Sequence, residues 1–457
     1  MKNSQPLILS KKKYTFNILD SIETEIEVYN NPYDLRLEEL FIMAARINKK
    51  RSFLFVSKVL GKHLPIDPNK GLLTAALLGA RYLETVKGIE GFETDNLLTW
   101  FNRGVPYQSK AFIPEYIQPV VIGFAETATA LGHAFFDCFK SAQYFHTTRE
   151  ELKEIKPEIT FEEEHSHATS HRCYIPLEMI HNDREIILVD DELTTGKTAL
   201  NIIQSIHAKF PRQVYTVVSI LDWRSEENRN NFKRLEQMLG IKINVVSLVA
   251  GTIEVKMLSE MDQRSTNVEW KKNAEPTVEQ IKLDSFFSRT SFSADNQLNK
   301  APFIKETGRF GLRSSENTIF HQKVTEAALF LKQKRFGNRT LCLGTGEFMY
   351  LPMKIAAEMG KGVYYQSTTR SPIFIENAAG YGARFGASFP NPEDLAITHY
   401  VYNIPPGFYD EIFIFVERKV ELENLQPLLK ELKKLQLKMI KIVFFSEERG
   451  EQVEVYS

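Results

Sequence analysis

The sequence predicts an α/β protein of two successive domains, each a parallel sheet with flanking helices. Three observations carry this. Short β-branched runs alternate with helix-like stretches between about Val120 and Leu248; a second alternating series follows a polar, aperiodic stretch; and the two series place their punctuating residues alike. The length agrees, since 457 residues exceeds the usual single-domain range.

Taken in order, the first sheet is expected from "VVIG", "QYFH", "HRCYI", "EIILVD", "VYTVVSIL" and "NVVSLV". Residues 271–315 are polar and lack sustained periodicity, so they read as the connection between a domain of residues 1–270 and one of residues 316–457. The second sheet is expected from "TLCLG", "VYYQS", "EIFIFVE" and "IKIVFFS". The two series share a strand ending in Gly-x-x-Glu and a second strand ending in Thr-Thr-Arg. Gly123 to Thr147 and Gly344 to Thr368 both span 24 residues. Asp191 to Asp222 spans 31 residues, and Glu417 to Glu447 spans 30. The second domain is therefore read as a Rossmann-like degenerate repeat of the first.

Composition narrows the function. Lys and Arg total 57 against 58 Asp and Glu, a net charge of -1, so no global field recruits nucleic acid or a membrane surface. No basic recognition helix is evident either. Cys138, Cys173 and Cys342 are far apart and odd in number, against a disulfide framework or zinc cluster. "MKNSQPLILSKKKYTF" holds only a short apolar patch, and no run approaches membrane-spanning length, so a cytoplasmic location is expected.

The chemistry concentrates in "IILVDDELTTGKTALNII", residues 186–203. A turn of Thr194, Thr195, Gly196, Lys197 and Thr198 opening a helix offers backbone N–H groups, hydroxyls and the positive helix end to a phosphate. Gly196 admits close approach and a positive φ. Asp190 and Asp191 repel a phosphate, so they must face vicinal hydroxyls, a divalent cation, or both. A sugar phosphate meets both demands. A nucleotide-hydrolysing P-loop is the rival, but it needs a glycine five residues before the Gly-Lys pair, where Asp191 stands. An ordinary strand-turn-helix with acidic caps is the plainer alternative, disfavoured by the repulsion of adjacent acids.

"ILVDDELTTGKTALN" resembles the 5-phosphoribosyl-1-pyrophosphate (PRPP) motif of type I phosphoribosyltransferases. With "GFAETATALGHA", "HTTRE", "EEEHSHAT" and "TTRSP", the chain is similar to orotate phosphoribosyltransferase-like proteins with a C-terminal TRSP domain, which are associated with tellurium-resistance clusters. The resemblance covers most of the chain. It implies that Asp190 and Asp191 contact the ribose hydroxyls and Mg2+, and that Thr194 to Thr198 hold the 5-phosphate. Gly123, Phe124, Ala125, Glu126 and Thr127 would form the pyrophosphate loop, with Thr148 and Arg149 reaching the same group. His165 and His167, in "FEEEHSHATSHR", become candidates for leaving-group stabilisation on a mobile loop, although clustered loop histidines are often only solvated.

The basic cluster of Arg46, Lys49, Lys50, Arg51, Lys58, Lys62 and His63 lies where this fold carries a hood over the acceptor. It suits an acidic or phosphate-bearing acceptor, or is simply a solvated face. In the second copy, Val416 and Glu417 replace the paired acids; a small anion site survives near Arg370, or the repeat is only a structural partner that covers the first sheet or builds a dimer. The implied reaction transfers ribose 5-phosphate from PRPP to a base-like nitrogen acceptor. A catalytically silent PRPP sensor is the alternative.

Overall fold

The computed structural model describes residues 12–47, 52–91, 93–152, 155–162, 170–259, 275–294 and 299–448. The chain begins with strands β1 (Lys12–Ile18) and β2 (Ile22–Asn30), helix α1 (Leu37–Leu40), the hairpin β3 (Phe41–Ala45) and β4 (Phe53–Ser57), and helices α2 (Pro68–Tyr82) and α3 (Thr94–Arg103). Asp67 caps α2 by accepting from the Asn69 N–H, and Pro68 supplies a preset φ at its first turn. The alternating series follows: β5 (Val120–Gly123), α4 (Ala128–Phe136), β6 (Gln143–His146), β7 (Ile159–Glu162), β8 (Ser170–Cys173), β9 (Ile186–Val189), β10 (Glu192–Leu193), α5 (Lys197–Lys209), β11 (Val214–Asp222), α6 (Glu226–Leu239) and β12 (Lys242–Met257). The remainder comprises β13 (Thr277–Lys282), β14 (Leu312–Arg313), α7 (Asn317–Gln333), β15 (Thr340–Gly344), α8 (Tyr350–Glu358), β16 (Val363–Ser367), β17 (Gly386–Asn391), β18 (Asp394–Tyr402), β19 (Glu411–Arg418), α9 (Leu422–Lys433) and β20 (Met439–Ser446).

The first sheet runs β1-β2-β12-β11-β9-β5-β6-β14. From β12 to β6 it is parallel, and β5 and β9 are buried along their whole length, as strands covered on both faces must be. The second sheet runs β13-β20-β19-β15-β16, all parallel. Thus β11-β9-β5-β6 and β20-β19-β15-β16 share order and direction, and each has a hairpin inserted after its last strand, β7-β8 or β17-β18. The register agrees too. Gly123 lies opposite Val189 and His146, and Gly344 opposite Phe415 and Ser367, the positions the sequence offsets pair. The repeat is real at the level of topology.

Two expectations change. "HRCYI" does not join the parallel sheet; it forms β8 of the hairpin with β7. Residues 271–315 do more than connect: within them β13 completes the second sheet beside β20, and β14 adds an antiparallel edge to β6. Polar composition concealed both, because edge strands bury little and need no apolar run.

The outer face of the first sheet has its own core with α5, and that of the second has its own with α9. The inner faces share a single core: Val121, Ile187 and Val218 from one sheet connect through α2, α4 and α8 to Cys342, Phe413 and Val443 of the other. Helices α4 and α8, equivalent in the two copies, pack on each other, with His133 stacked on Tyr350 at 3.9 Å. The three cysteines are buried and free.

Candidate active site

The carboxyl ends of parallel strands carry the ligand sites of open α/β sheets. Here β5, β6 and β9 end around a cleft of about 380 Å3, within the roughly 300–1,000 Å3 of small-molecule sites. After β9, the Asp190 N–H donates to the Val218 carbonyl, and the Ile220 N–H to the Asp191 carbonyl. These bonds extend the ladder with β11 and hold the acidic pair at the cleft. Burial, and then the neighbouring Asp191 carboxylate, push the Asp190 carboxyl well above the usual carboxylate range. A cation or sugar hydroxyls relieve that repulsion. Gly196 sits at φ +74°, where an added Cβ would fall 2.6 Å from the Phe232 ring. The turn therefore closes only with glycine.

After β5, Gly123 lies beneath the loop, where an added Cβ would fall 2.6 Å from the Ala128 carbonyl of α4. Phe124, Ala125, Glu126 and Thr127 line the cleft above it. The Ala125–Glu126 peptide is cis, and the Ala125 N–H donates to the Thr147 hydroxyl at 2.8 Å. Lys62 donates to the Thr127 hydroxyl and stands 3.6 Å from Glu126. Burial opposes ionisation of Glu126, but Lys62, His399, Arg149 and Arg370 outweigh it and lower its pKa.

The cleft unites Asp190, Asp191, Thr194, Thr195, Gly196, Thr198, Arg149 and the loop residues 124–127, all expected from sequence. Thr148 faces elsewhere: its hydroxyl donates to Glu347 at 2.6 Å, while Thr147 braces the loop. Lys197 is exposed and does not line the cleft. His165 and His167 lie outside the described residues, as do Lys49, Lys50 and Arg51 of the basic cluster. Arg46 and Lys62 from that cluster do reach the cleft. His63 instead packs edge-on to Tyr402, its pKa well below the usual range through burial first and then Lys62 and Arg46.

The largest departure is Arg370. Expected to serve an anion site in its own domain, it does line the small pocket there, but it also lines the first domain's cleft together with Ser371 and Pro372. The equivalent pocket of the second copy has about 20 Å3. Arg309 fills it, donating to both Glu417 oxygens at 3.0 Å and lying over the Phe303 ring at 4.2 Å. Arg418 lies on the same ring at 4.0 Å and pairs with Glu393 at 3.1 Å. Phe303 and Arg309 both come from the expected connection, so their role was invisible to motif reading.

Among the described residues, no group of three or more His, Cys, Asp or Glu side chains could hold a metal by itself, and no helix is long and apolar enough to cross a membrane.

Residues 40–252 match the profile of a phosphoribosyl transferase family, and residues 306–432 match the TRSP domain found C-terminal to it. Among solved structures, the chain is similar to an adenine phosphoribosyl transferase from Trypanosoma brucei in complex with AMP, pyrophosphate and ribose-5-phosphate, at 12% identity over 51% of this chain and 86% of that one, with a TM-score of 0.30. It is also similar to adenine phosphoribosyltransferase from Rhodothermus marinus, at 14% identity over 38% of this chain and 77% of that one, with a TM-score of 0.23. No curated protein matches. The chain therefore carries a phosphoribosyl transferase domain followed by a TRSP domain.

Proposed function

We propose that the protein transfers the 5-phosphoribosyl group of PRPP to a nitrogen of a base-like acceptor and releases pyrophosphate. The observation that carries this reading is one cleft holding an acidic pair, an anion turn and a second anion-binding loop at three neighbouring strand ends. The turn at Thr194 to Thr198 takes the 5-phosphate on its N–H groups and hydroxyls. Asp190 and Asp191 accept hydrogen bonds from the ribose hydroxyls. The N–H groups of Glu126 and Thr127, with Arg149, take the pyrophosphate, while the Glu126 carboxylate is turned to the Thr369 hydroxyl. The anomeric carbon to pyrophosphate-oxygen bond breaks, the carbon to nitrogen bond forms, and the acceptor nitrogen gives up its proton. The protein's share is positioning and stabilisation of the departing charge.

The oxygen donors of Asp190 and Asp191 suit a hard divalent cation completed by substrate oxygens and water, and Mg2+ bound there supplies charge neutralisation at the leaving group. Incubation of the full chain with PRPP, Mg2+ and candidate bases tests the reading. Acceptor-dependent pyrophosphate release, with a new ribonucleotide by mass spectrometry, is the expected result. PRPP binding without turnover against any acceptor would instead mark a silent sensor.

A further inference from the structure

The two copies reach into one another reciprocally. From the first, the buried Glu126 carboxylate accepts from the Thr369 hydroxyl at 2.9 Å and the Arg370 N–H at 3.4 Å. From the second, the equivalent Glu347 accepts from the Thr148 hydroxyl at 2.6 Å and the Arg149 N–H at 2.8 Å. Each Gly-x-x-Glu loop thus holds the other copy's Thr-Thr-Arg strand end. The internal braces match as well. Thr147 accepts from the Ala125 N–H and lies 2.9 Å from His171 Nδ1; Thr368 accepts from the Gly346 N–H and lies 3.1 Å from His399 Nδ1. This is the pattern of an isologous, two-fold interface, realised inside one chain.

The symmetry is broken at the pockets. Arg309 and Phe303 fill one, while the other is open, and the open one takes a cation from its neighbour. Arg370 is fixed for that task by its surroundings. The Ser371 N–H donates to the Thr369 hydroxyl, the Tyr402 hydroxyl to the Ser371 carbonyl, and the Phe374 N–H to the Ala45 carbonyl of β3. Its guanidinium stands 3.4 Å from Glu150, next in sequence to Arg149. Its N–H contact to Glu126, which follows β5, and its guanidinium contact to Glu150, which follows β6, set Arg370 at the ends of those two strands.

We propose that the C-terminal domain is a built-in, closed second subunit that lends Arg370 to the first domain's cleft, where its forked donors bind the pyrophosphate group of the substrate. A planar guanidinium, carried on a segment pinned by backbone and tyrosine contacts and steadied by Glu150, suits the paired oxygens of a diphosphate. The identity of the ligand rests on the phosphoribosyl reading; the donation across the two copies does not.

The test uses the full chain with Mg2+ and two probes by titration calorimetry: inorganic pyrophosphate, and ribose 5-phosphate, which engages the Thr194 to Thr198 turn without the diphosphate. Arg370→Ala is expected to weaken pyrophosphate binding at least tenfold and leave ribose 5-phosphate within twofold. An unaltered pyrophosphate affinity, or an equal loss for both probes, overturns the proposal. Should the alanine variant fail to fold, Arg370→Lys decides. It keeps the charge but not the fork, so pyrophosphate affinity must fall at least threefold with ribose 5-phosphate unchanged, and equal affinity overturns it. A wild-type chain that binds pyrophosphate through Arg370 yet neither binds ribose 5-phosphate nor turns over PRPP keeps the donation and ends the phosphoribosyl reading. One that does not bind pyrophosphate overturns the donation.

Discussion

Replacing Glu347 by glutamine tests the interface between the copies at a single atom pair. Burial works against ionisation of Glu347, but Arg309, Arg370, His146 and the Thr148 hydroxyl outweigh it and hold the carboxyl at about 2. Against about 4.3 for an unfolded glutamate, that difference corresponds to roughly 3 kcal/mol at neutral pH. Its bonds to Thr148 and Arg149 give a consistent figure, at about 1.5–3 kcal/mol for each hydrogen bond to a charged group. Glutamine keeps one acceptor but turns an N–H2 toward the second donor, and Arg309 at 3.7 Å loses a counter-charge. Glu347→Gln should therefore cost about 2–4 kcal/mol. Urea unfolding of the full chain at pH 7, followed by tryptophan fluorescence, measures it. The sign with pH follows from a depressed carboxyl: its stabilisation is complete above the unfolded value and is lost as pH falls toward 2. The gap to wild type should shrink to about half by pH 3. A variant within about 0.5 kcal/mol of wild type at pH 7, inside the range of ordinary surface changes, refutes the reasoning. So does a gap as wide at pH 3 as at pH 7.

Asp190→Asn combined with Asp191→Asn should remove acceptor-dependent pyrophosphate release while stability stays level or rises by about 1 kcal/mol, since the variant ends a like-charge repulsion; wild-type turnover in the folded variant contradicts this. Gly196→Ala should lose about 2–4 kcal/mol, from its left-handed φ and the contact with Phe232, and bind ribose 5-phosphate at least tenfold more weakly. Calorimetry and urea unfolding decide, and a wild-type result in both would sink it. Burial lowers His133 to about 3, His146 to about 4 and His399 to about 4, so each contributes stability that is complete above about pH 6.5 and lost on acidification. Glu393, raised to about 7 by burial, acts oppositely between about 4.3 and 7. Near pH 5 these four groups give a net slope of about two protons, roughly 3 kcal/mol per pH unit, which urea titrations from pH 6 to 4.5 should show as falling stability.

The parts of the site legible in sequence are local. Asp190, Asp191 and the turn to Thr198 occupy one short segment, and their chemistry follows from adjacency. Gly123 and Gly344 announce themselves at strand ends where a close carbonyl, that of Ala128 or of Phe348, admits no side chain. The repeat was legible because four strands keep their spacing. What stayed hidden depends on contacts between residues far apart in the chain. Thr148 looked like an anion ligand until Glu347, 199 residues away, took its hydroxyl. Arg370 was assigned to its own domain alone because nothing local says that this strand end also reaches a second cleft. The closure of the second pocket hides in Phe303 and Arg309, which carry no motif at all.

Because α4 and α8 join the copies through a common core, completing the open cleft is a first-order event. Two separate subunits sharing a site part company on dilution, following mass action. Here the donor and the recipient cannot separate without unfolding, so turnover per chain should stay constant from micromolar to nanomolar protein. The arrangement also releases the copies from sameness. In a symmetric pair every substitution appears twice. In this chain Asp191 and its counterpart Glu417 are independent positions, so one half can trade reactivity for packing while the other keeps it.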